Sequence, residues 1–267
     1  MGELVLIGLG LYDEDDISLR GLSEAKTADI VFAEFYTSLM AGLSLKRLES
    51  LTGKEITVIS RRWLEEENCK QLLDAAVRSK VALLVPGDPL ISTTHVDLRI
   101  KAERAGIRTK VVHGSSITSA VVGLSGLQNY KFGRSVTIPF IYSPDVSEVP
   151  YNVIKMNQHL GLHTLCFLDM EAEERRYMTI KEGLATLRIL EKKRRERIIT
   201  DEMLVVGIAC AGSNNPIVKA GRLRDVIDHD FHMLPHSLIF PGKLHFVETD
   251  ALIELANAPE SIRSVGR

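Results

Sequence analysis

The stretch LLVPGDPLISTTH, Leu83 to His95, gathers residue types that could recognise a small charged molecule. An apolar run ends in Pro-Gly-Asp-Pro, and three hydroxyl residues follow soon after. Pro86 and Pro89 fix φ on both sides of Gly87-Asp88, so Asp88 is held rigidly just past a strand. Strand ends of this kind are where open α/β sheets bind their ligands. A fixed carboxylate, exposed amides and spare hydroxyls suit a polar, zwitterionic ligand. Thr94 with Asp97 approximates a capping box for the next helix, which accounts for one hydroxyl but not three.

Three other stretches have related character. In IGLGLYDEDDISLRG, Ile7 to Gly21, a strand ends in Gly8-Leu9-Gly10. Two glycines allow a tight turn and a close backbone approach to a ligand. The dinucleotide fingerprint would place a third glycine at Asp13, but Asp13, Glu14, Asp15 and Asp16 are all acidic. Four carboxylates repel a pyrophosphate at close range, which disfavours a Rossmann oxidoreductase. Facing a cation is one use for these acids; capping and solvation are the preferred one, with Asp16 as N-cap of the helix that starts at Ser18. In VVHGSSITSAVVG, Val111 to Gly123, a glycine turn again opens a helix with hydroxyls, and free N–H groups there suit an anion or carboxylate. In LPHSLIFPGKLHF, Leu234 to Phe246, His236 precedes a strand and reads first as structural. No Ser-His-Asp order, HExxH or phosphate loop ending in Lys-Ser/Thr is present. The combination fits binding of a small molecule whose own reactivity does the work.

Short Val, Ile and Leu runs position these turns: Leu4–Gly8, Ile30–Ala33, Val81–Val85 and Lys110–His113. Amphipathic segments lie between them at Ser18–Ala28, Leu45–Leu51, Trp63–Ser79 and Thr94–Ala105, and Ser116–Leu124 follows as a short helix. Strands alternating with helices predict an α/β domain with a mostly parallel sheet. After Leu127 the character changes. Ile138–Pro150, with three prolines, reads as a loop or lid near a domain junction. Strands are expected at Thr164–Leu168, Leu204–Ala211, Ile217–Ala220 and Ser237–Phe240, and helices at Tyr151–Leu160, Ile180–Glu196 and Asp250–Ala256. The Gly212–Pro216 turn predicts an antiparallel hairpin, and hence a mixed second sheet. Two α/β domains are expected, residues 1–127 and 128–267.

The 267 residues carry a net charge of −2, which gives no electrostatic case for a nucleic-acid surface. The basic run EKKRRER, Glu191–Arg197, reads as a solvated helix end with cations near its C-terminal dipole. The three cysteines are scattered, two of them inside apolar runs, and no CxxC pair suggests zinc or redox chemistry. No signal-peptide pattern opens the chain, and no apolar run approaches the length of a bilayer span. The expectation is a soluble, cytoplasmic protein with reduced thiols, no membrane contact and no metal.

GLGLYDE, AEFYTS (Ala33–Ser38), PGDPL with STTH, SSITSAV, YKFG, GLHTL with FLDM, and PGKLH together resemble the diphthine synthase family. These are S-adenosylmethionine-dependent methyltransferases with the tetrapyrrole-methylase fold. The resemblance runs from about Leu4 to Ala258, with departures mainly in Ile138–Pro150 and Leu64–Lys80. The GLG start and GDP turn are shared by the wider fold class; AEFYTS, STTH and PGKLH are the more specific signals. The resemblance implies methylation of the amino group of a modified histidine, 2-(3-amino-3-carboxypropyl)histidine, on translation elongation factor 2, giving diphthine on the way to diphthamide. It implies a cofactor site between the two domains. Matched residue by residue, the cofactor contacts are Leu11, Asp88, Ile91, Ser116 and Ile117, with Leu168, Ala211 and His236 from the second half. S-adenosyl-L-homocysteine would be the product, and a homodimer the common assembly. No catalytic base is assigned; Asp88, His95 and His236 are the candidates. Two alternatives stay open: a tetrapyrrole methylase of the same fold, against which the acidic loop argues, and a non-catalytic S-adenosylmethionine-binding module.

Overall fold

A computed structural model describes residues 2–66, 69–142 and 146–264. They fall into two compact units, Met1–Ile117 and Thr118–Arg267. The division stands ten residues ahead of the 127/128 boundary expected from sequence, and so gives most of the helix Ile117–Ser125 to the second unit. One tie from that helix is visible at its end: a Cβ on Gly126 would lie 2.5 Å from the Ala251 side chain.

The first unit holds β1 (Glu3–Gly8), α1 (Leu19–Thr27), β2 (Ile30–Glu34), α2 (Leu45–Thr52), β3 (Ile56–Ile59), α3 (Lys70–Ala76), β4 (Lys80–Val85), α4 (His95–Arg104) and β5 (Arg108–Val112). The strands form one sheet in the order β3-β2-β4-β1-β5, with every pairing parallel. The central β1 and β4 are buried at nearly every position, as parallel strands covered on both faces must be. Alternation splits their side chains. Leu4, Leu6, Leu83 and Val85 join Leu72, Leu98 and Ala102 on one face. Val5, Ile7, Ala82 and Leu84 join Ala25, Met40 and Leu48 on the other. Each fully buried Leu or Ile contributes about 1.5–3 kcal/mol, so these two layers dominate the unit's stability.

The second unit holds α5 (Ile117–Ser125), β6 (Val136–Ile138), α6 (Val149–His159), β7 (Thr164–Leu168), β8 (Met170–Glu171), β9 (Arg176–Tyr177), α7 (Ile180–Arg194), β10 (Leu204–Ala209), β11 (Ile217–Arg222), α8 (Leu223–Val226), β12 (His236–Phe240) and α9 (Phe246–Ala256). Its main sheet runs β11-β10-β12-β7-β6. Only β6 and β7 pair in parallel; the other pairings are antiparallel, so the sheet is mixed as expected. The β10–β11 hairpin forms where the Gly212–Pro216 turn predicts it.

Several local expectations are corrected. Asp16 does not cap α1; Ser18 does, accepting from Gly21 N–H. The Thr94–Asp97 capping box is not formed: Thr94 makes no side-chain cap bond, and Asp97 pairs with Lys101 at 2.6 Å. The helix expected over Trp63–Ser79 is broken into a π-helical turn, Arg62–Glu66, and α3, with Cys69 in the left-handed region between them; Glu67 and Asn68 of that span lie outside the described residues. The edge strand β3 has no counterpart in the sequence reading, because only its first and last residues are buried and no alternation shows. Within the Ile138–Pro150 loop, 143–145 lie outside the described residues, and α6 already begins at Val149. Helix α9 starts at Phe246, four residues before Asp250, because His245 and Glu248 form a capping box.

The basic run closes α7 at Arg194, with Arg195 in the left-handed region. Both of its acids and two of its five cations are met within the chain. Arg194 pairs with Glu148 and Glu196, Lys193 with Glu148, and Glu196 also with Lys155. Glu191 accepts from the amides of Arg197, Ile198 and Ile199 and from the buried Tyr151 hydroxyl.

The motifs YKFG, GLHTL and PGKLH meet at Glu248, which is fully buried. Its Oε1 accepts from Gln128 N–H and faces His163 Nε2, each at 2.9 Å; its Oε2 accepts from His245 N–H and pairs with Lys131 Nζ. Gly242 N–H donates to His163 Nδ1, so the neutral ring carries its proton on Nε2, toward the carboxylate. Burial alone would raise the Glu248 carboxyl, but Lys131 and the two amides outweigh it and hold it at about 2. Burial likewise holds His163 below the ordinary imidazole range. Glu248→Gln leaves the Lys131 ammonium without its partner charge and is expected to destabilise the protein by about 3–5 kcal/mol in urea unfolding. The sign with pH follows from the folded value lying below the ordinary 4.5: the carboxylate's stabilisation is complete above that pH and is lost as pH falls toward 2. That acid limb should flatten in the Gln variant.

Candidate functional site

Three turns leave the C-terminal ends of β1, β4 and β5 and lie backbone against backbone. Leu9 N–H donates to Val85 O at 2.8 Å, and Gly10 and Gly87 exchange hydrogen bonds as an isolated bridge. A Cβ on Gly8 would sit 2.5 Å from both Gly87 O and Gly114 N, so no side chain fits there. Gly87 is itself in the left-handed region, at φ +69. Four residues expected from sequence as cofactor contacts stand on this stack: Leu11 follows Gly10, Asp88 follows Gly87, and Ser116 and Ile117 come just after Gly114. Ile91 stands outside the turn, 45% exposed.

The acidic loop has an internal structure that sequence did not show. Asp16 Oδ2 accepts from Leu11 N–H at 3.0 Å and Tyr12 N–H at 2.7 Å, closing the loop over Gly10. Glu14 is fully buried, pairs with Arg47 at 2.6 Å and accepts from Ser44 N–H. Asp13 accepts from Asp15 N–H. Asp13 and Asp16 accept within the loop, and Glu14 and Asp15 face the Arg47 guanidinium, so the chain's own groups account for all four acids.

Asp88 is buried, and both its oxygens are engaged. Oδ1 accepts from Leu90 N–H at 3.0 Å, and Oδ2 lies 2.7 Å from His113 Nδ1. His113 is 74% exposed at its side chain. It ends the run Lys110–His113, and no local pattern marks it, because its partner is 25 residues away in sequence. The hydroxyls after the turn are divided: Thr93 Oγ1 donates to Pro89 O, while Ser92 sits at φ +57. His95 is fully buried, with Nδ1 3.2 Å from Pro89 O and Nε2 3.8 Å from Glu34 Oε1. Glu34, also fully buried, accepts from the amides of Tyr36 and Thr37 and from the Thr37 hydroxyl. The AEFYTS and STTH motifs are thereby one buried assembly behind the Pro-Gly-Asp-Pro turn.

In the second unit, Leu168, Ala211 and His236 share one end of the main sheet. Ala209 pairs with His236 across β10 and β12, and Leu168 stands one step past the Ser237–Phe167 pair. Cys210 is at φ +48; its N–H donates to Pro235 O, which follows a cis Leu234–Pro235 bond. His236 Nδ1 accepts from Ile180 N–H at 3.2 Å, and burial holds its imidazole below the ordinary range. The neutral ring therefore bears its proton on Nε2. That nitrogen, like Ser213 Oγ, is buried and meets no hydrogen-bond partner among the described residues. A histidine that sequence reads as structural is so at one nitrogen only.

Asp16→Ala removes the acceptor of two loop amides and should cost about 1–3 kcal/mol in urea unfolding, whereas Asp15→Ala, on the exposed side of the loop, should stay within about 0.5 kcal/mol.

The model of the family Tetrapyrrole (Corrin/Porphyrin) Methylases matches residues 3–227. A diphthine synthase of Methanosarcina mazei is 49% identical over 264 residues, covering 97% of this chain and 98% of that protein. One of Methanothermobacter thermautotrophicus is 46% identical over 259 residues, with 97% of each chain covered. A crystal structure of a diphthine synthase superposes with a TM-score of 0.89 at 40% identity, covering 98% of this chain and 99% of that one. The parallel first sheet, the mixed second sheet and these relatives agree: the chain belongs to the diphthine synthases, within the tetrapyrrole methylase family.

Proposed function

We propose that this chain methylates the amino group of 2-(3-amino-3-carboxypropyl)histidine on translation elongation factor 2, with S-adenosylmethionine as methyl donor. The carrying observation is the near-half identity to diphthine synthases over 97% of the chain. The same likeness disfavours a tetrapyrrole substrate and a non-catalytic binding module. A cytoplasmic homodimer belongs to the same reading.

The residues proposed to hold the cofactor are Leu11, Asp88, Ile91, Ser116 and Ile117 of the first unit and Leu168, Ala211 and His236 of the second. Their chemistry fits a zwitterionic nucleoside sulfonium. Asp88 offers a fixed negative charge to a positive amino or sulfonium group. The buried, unmatched Nε2–H of His236 and hydroxyl of Ser213 suit polar ligand atoms. Beyond Gly87 the nearest atom to a built Cβ is 3.9 Å away, so the turn leaves room for close approach. When bound, the cofactor supplies an electrophilic methyl group, and the chain's residues hold and orient it. Alignment of amine and methyl within a rigid site supplies several kcal/mol of barrier lowering. The three glycine-bearing turns provide that rigidity, because each is hydrogen bonded or packed through its main chain.

The test uses elongation factor 2 carrying the unmethylated precursor, with the intact mass of the target peptide read over time. Stepwise gains of one methyl unit on that histidine are expected, and the number of steps sets the product. His236→Ala should weaken cofactor binding about tenfold by calorimetry, the value of one hydrogen bond of about 1.4 kcal/mol. Cofactor binding without any mass change on the peptide would overturn the reading, and tetrapyrroles would be screened next.

A further inference from the structure

We infer that His113 is the general base of the methyl transfer, with Asp88 as the residue that orients it; the inference rests on the methylation reading above. An alkyl ammonium group is mostly protonated at neutral pH and has no lone pair to attack with. One proton must therefore leave the nitrogen before each methyl group arrives.

The structure discriminates among the candidate acceptors. Asp88 is buried, with one oxygen taken by Leu90 N–H and the other by His113. His95 is fully buried between Pro89 O and Glu34, away from any entering molecule. His236 spends its Nδ1 lone pair on Ile180 N–H, so the neutral ring has only a donor left. His113 is the reverse case. The charged group facing it is Asp88, from the end of β4, and an ionised carboxylate only accepts. Nδ1 must then carry the proton, which leaves the Nε2 lone pair free on a side chain 74% exposed. An imidazole can take and return a proton, and a carboxylate at its far nitrogen fixes the tautomer and the ring's orientation. The pair stands on the glycine stack itself: Asp88 follows Gly87, and His113 precedes Gly114, whose built Cβ would lie 2.4 Å from Gly87 O.

The step balances. The ammonium proton passes to His113 Nε2. The freed nitrogen lone pair forms the N–C bond to the methyl carbon as the C–S bond breaks, and that electron pair stays on sulfur as a neutral thioether. His113 then gives its proton to water through its exposed face. Each successive methylation needs the same single proton removed.

The test is His113→Asn, whose amide nitrogen can replace Nδ1 as the donor to Asp88 but offers no proton acceptor. Methyl transfer to precursor-bearing elongation factor 2 is measured at saturating cofactor from pH 6 to 10, beside cofactor affinity and thermal melting. The expected result is a kcat lower by about a hundredfold at pH 7. Cofactor affinity should stay within about threefold, and the deficit should close as pH rises and the amine loses its proton to solvent. His113→Gln, read in the same way, should lose kcat equally and guards against a misfolded first variant. A kcat within about threefold of the parent at pH 7, a deficit constant across pH, or one abolished by excess cofactor would overturn the assignment. Failure of the parent protein to methylate the factor would sink the methylation reading instead.

Discussion

The contact on which the first unit's site depends is main chain on main chain. At the ends of β1, β4 and β5 the turns approach until Gly8 and Gly114 leave no space for a Cβ against the Gly87 carbonyl, while Gly87 itself takes a left-handed φ of +69. Side chains cannot be the packing material at that spot, so the ends of three parallel strands are set by backbone hydrogen bonds and van der Waals contact alone. The gain is precision. A ligand meeting this surface meets amides and carbonyls whose positions do not depend on rotamers, and the side chains just past each glycine inherit that placement.

Around this contact, charge held wholly or partly out of water is used for positioning. Asp16 closes the acidic loop over Gly10 by gathering two amides. Glu34 and His95 brace the Pro-Gly-Asp-Pro turn from behind through the Pro89 carbonyl. In the second unit Glu248 does comparable work, joining Gln128, Lys131, His163 and His245 at one buried carboxylate. A buried carboxylate is costly unless every lone pair is met, and in each case amides or cations meet it. Such groups specify geometry because only one arrangement of the neighbouring chain satisfies them.

This separates two kinds of motif in the chain. AEFYTS, YKFG, GLHTL and PGKLH owe their polar residues largely to frame-building, whereas GLG, PGDP and the turn at Gly114 present groups to the outside. At His236 the ring is divided: Nδ1 ties down the start of α7, and Nε2 meets no hydrogen-bond partner among the described residues.

The two α/β sheets, most strands to within two residues, the hairpin of β10 and β11 and the three glycine turns were all legible in the sequence alone. Those features are local: apolar runs of strand length, helical periodicity, and glycine or proline at a turn depend on neighbours a few residues away. The tertiary structure alone decided how the polar residues are spent. Glu14, Asp88 and Glu248 find partners set by how strands and turns are brought together, and a carboxylate reads the same in sequence whether it caps, pairs or faces solvent. His113 is the clearest instance. Its type and place at a strand end were legible, but its role follows from Asp88 arriving 2.7 Å away on the far side of β1. Pairings of that kind are closed by the order of strands in the sheet, which no stretch of the chain records alone.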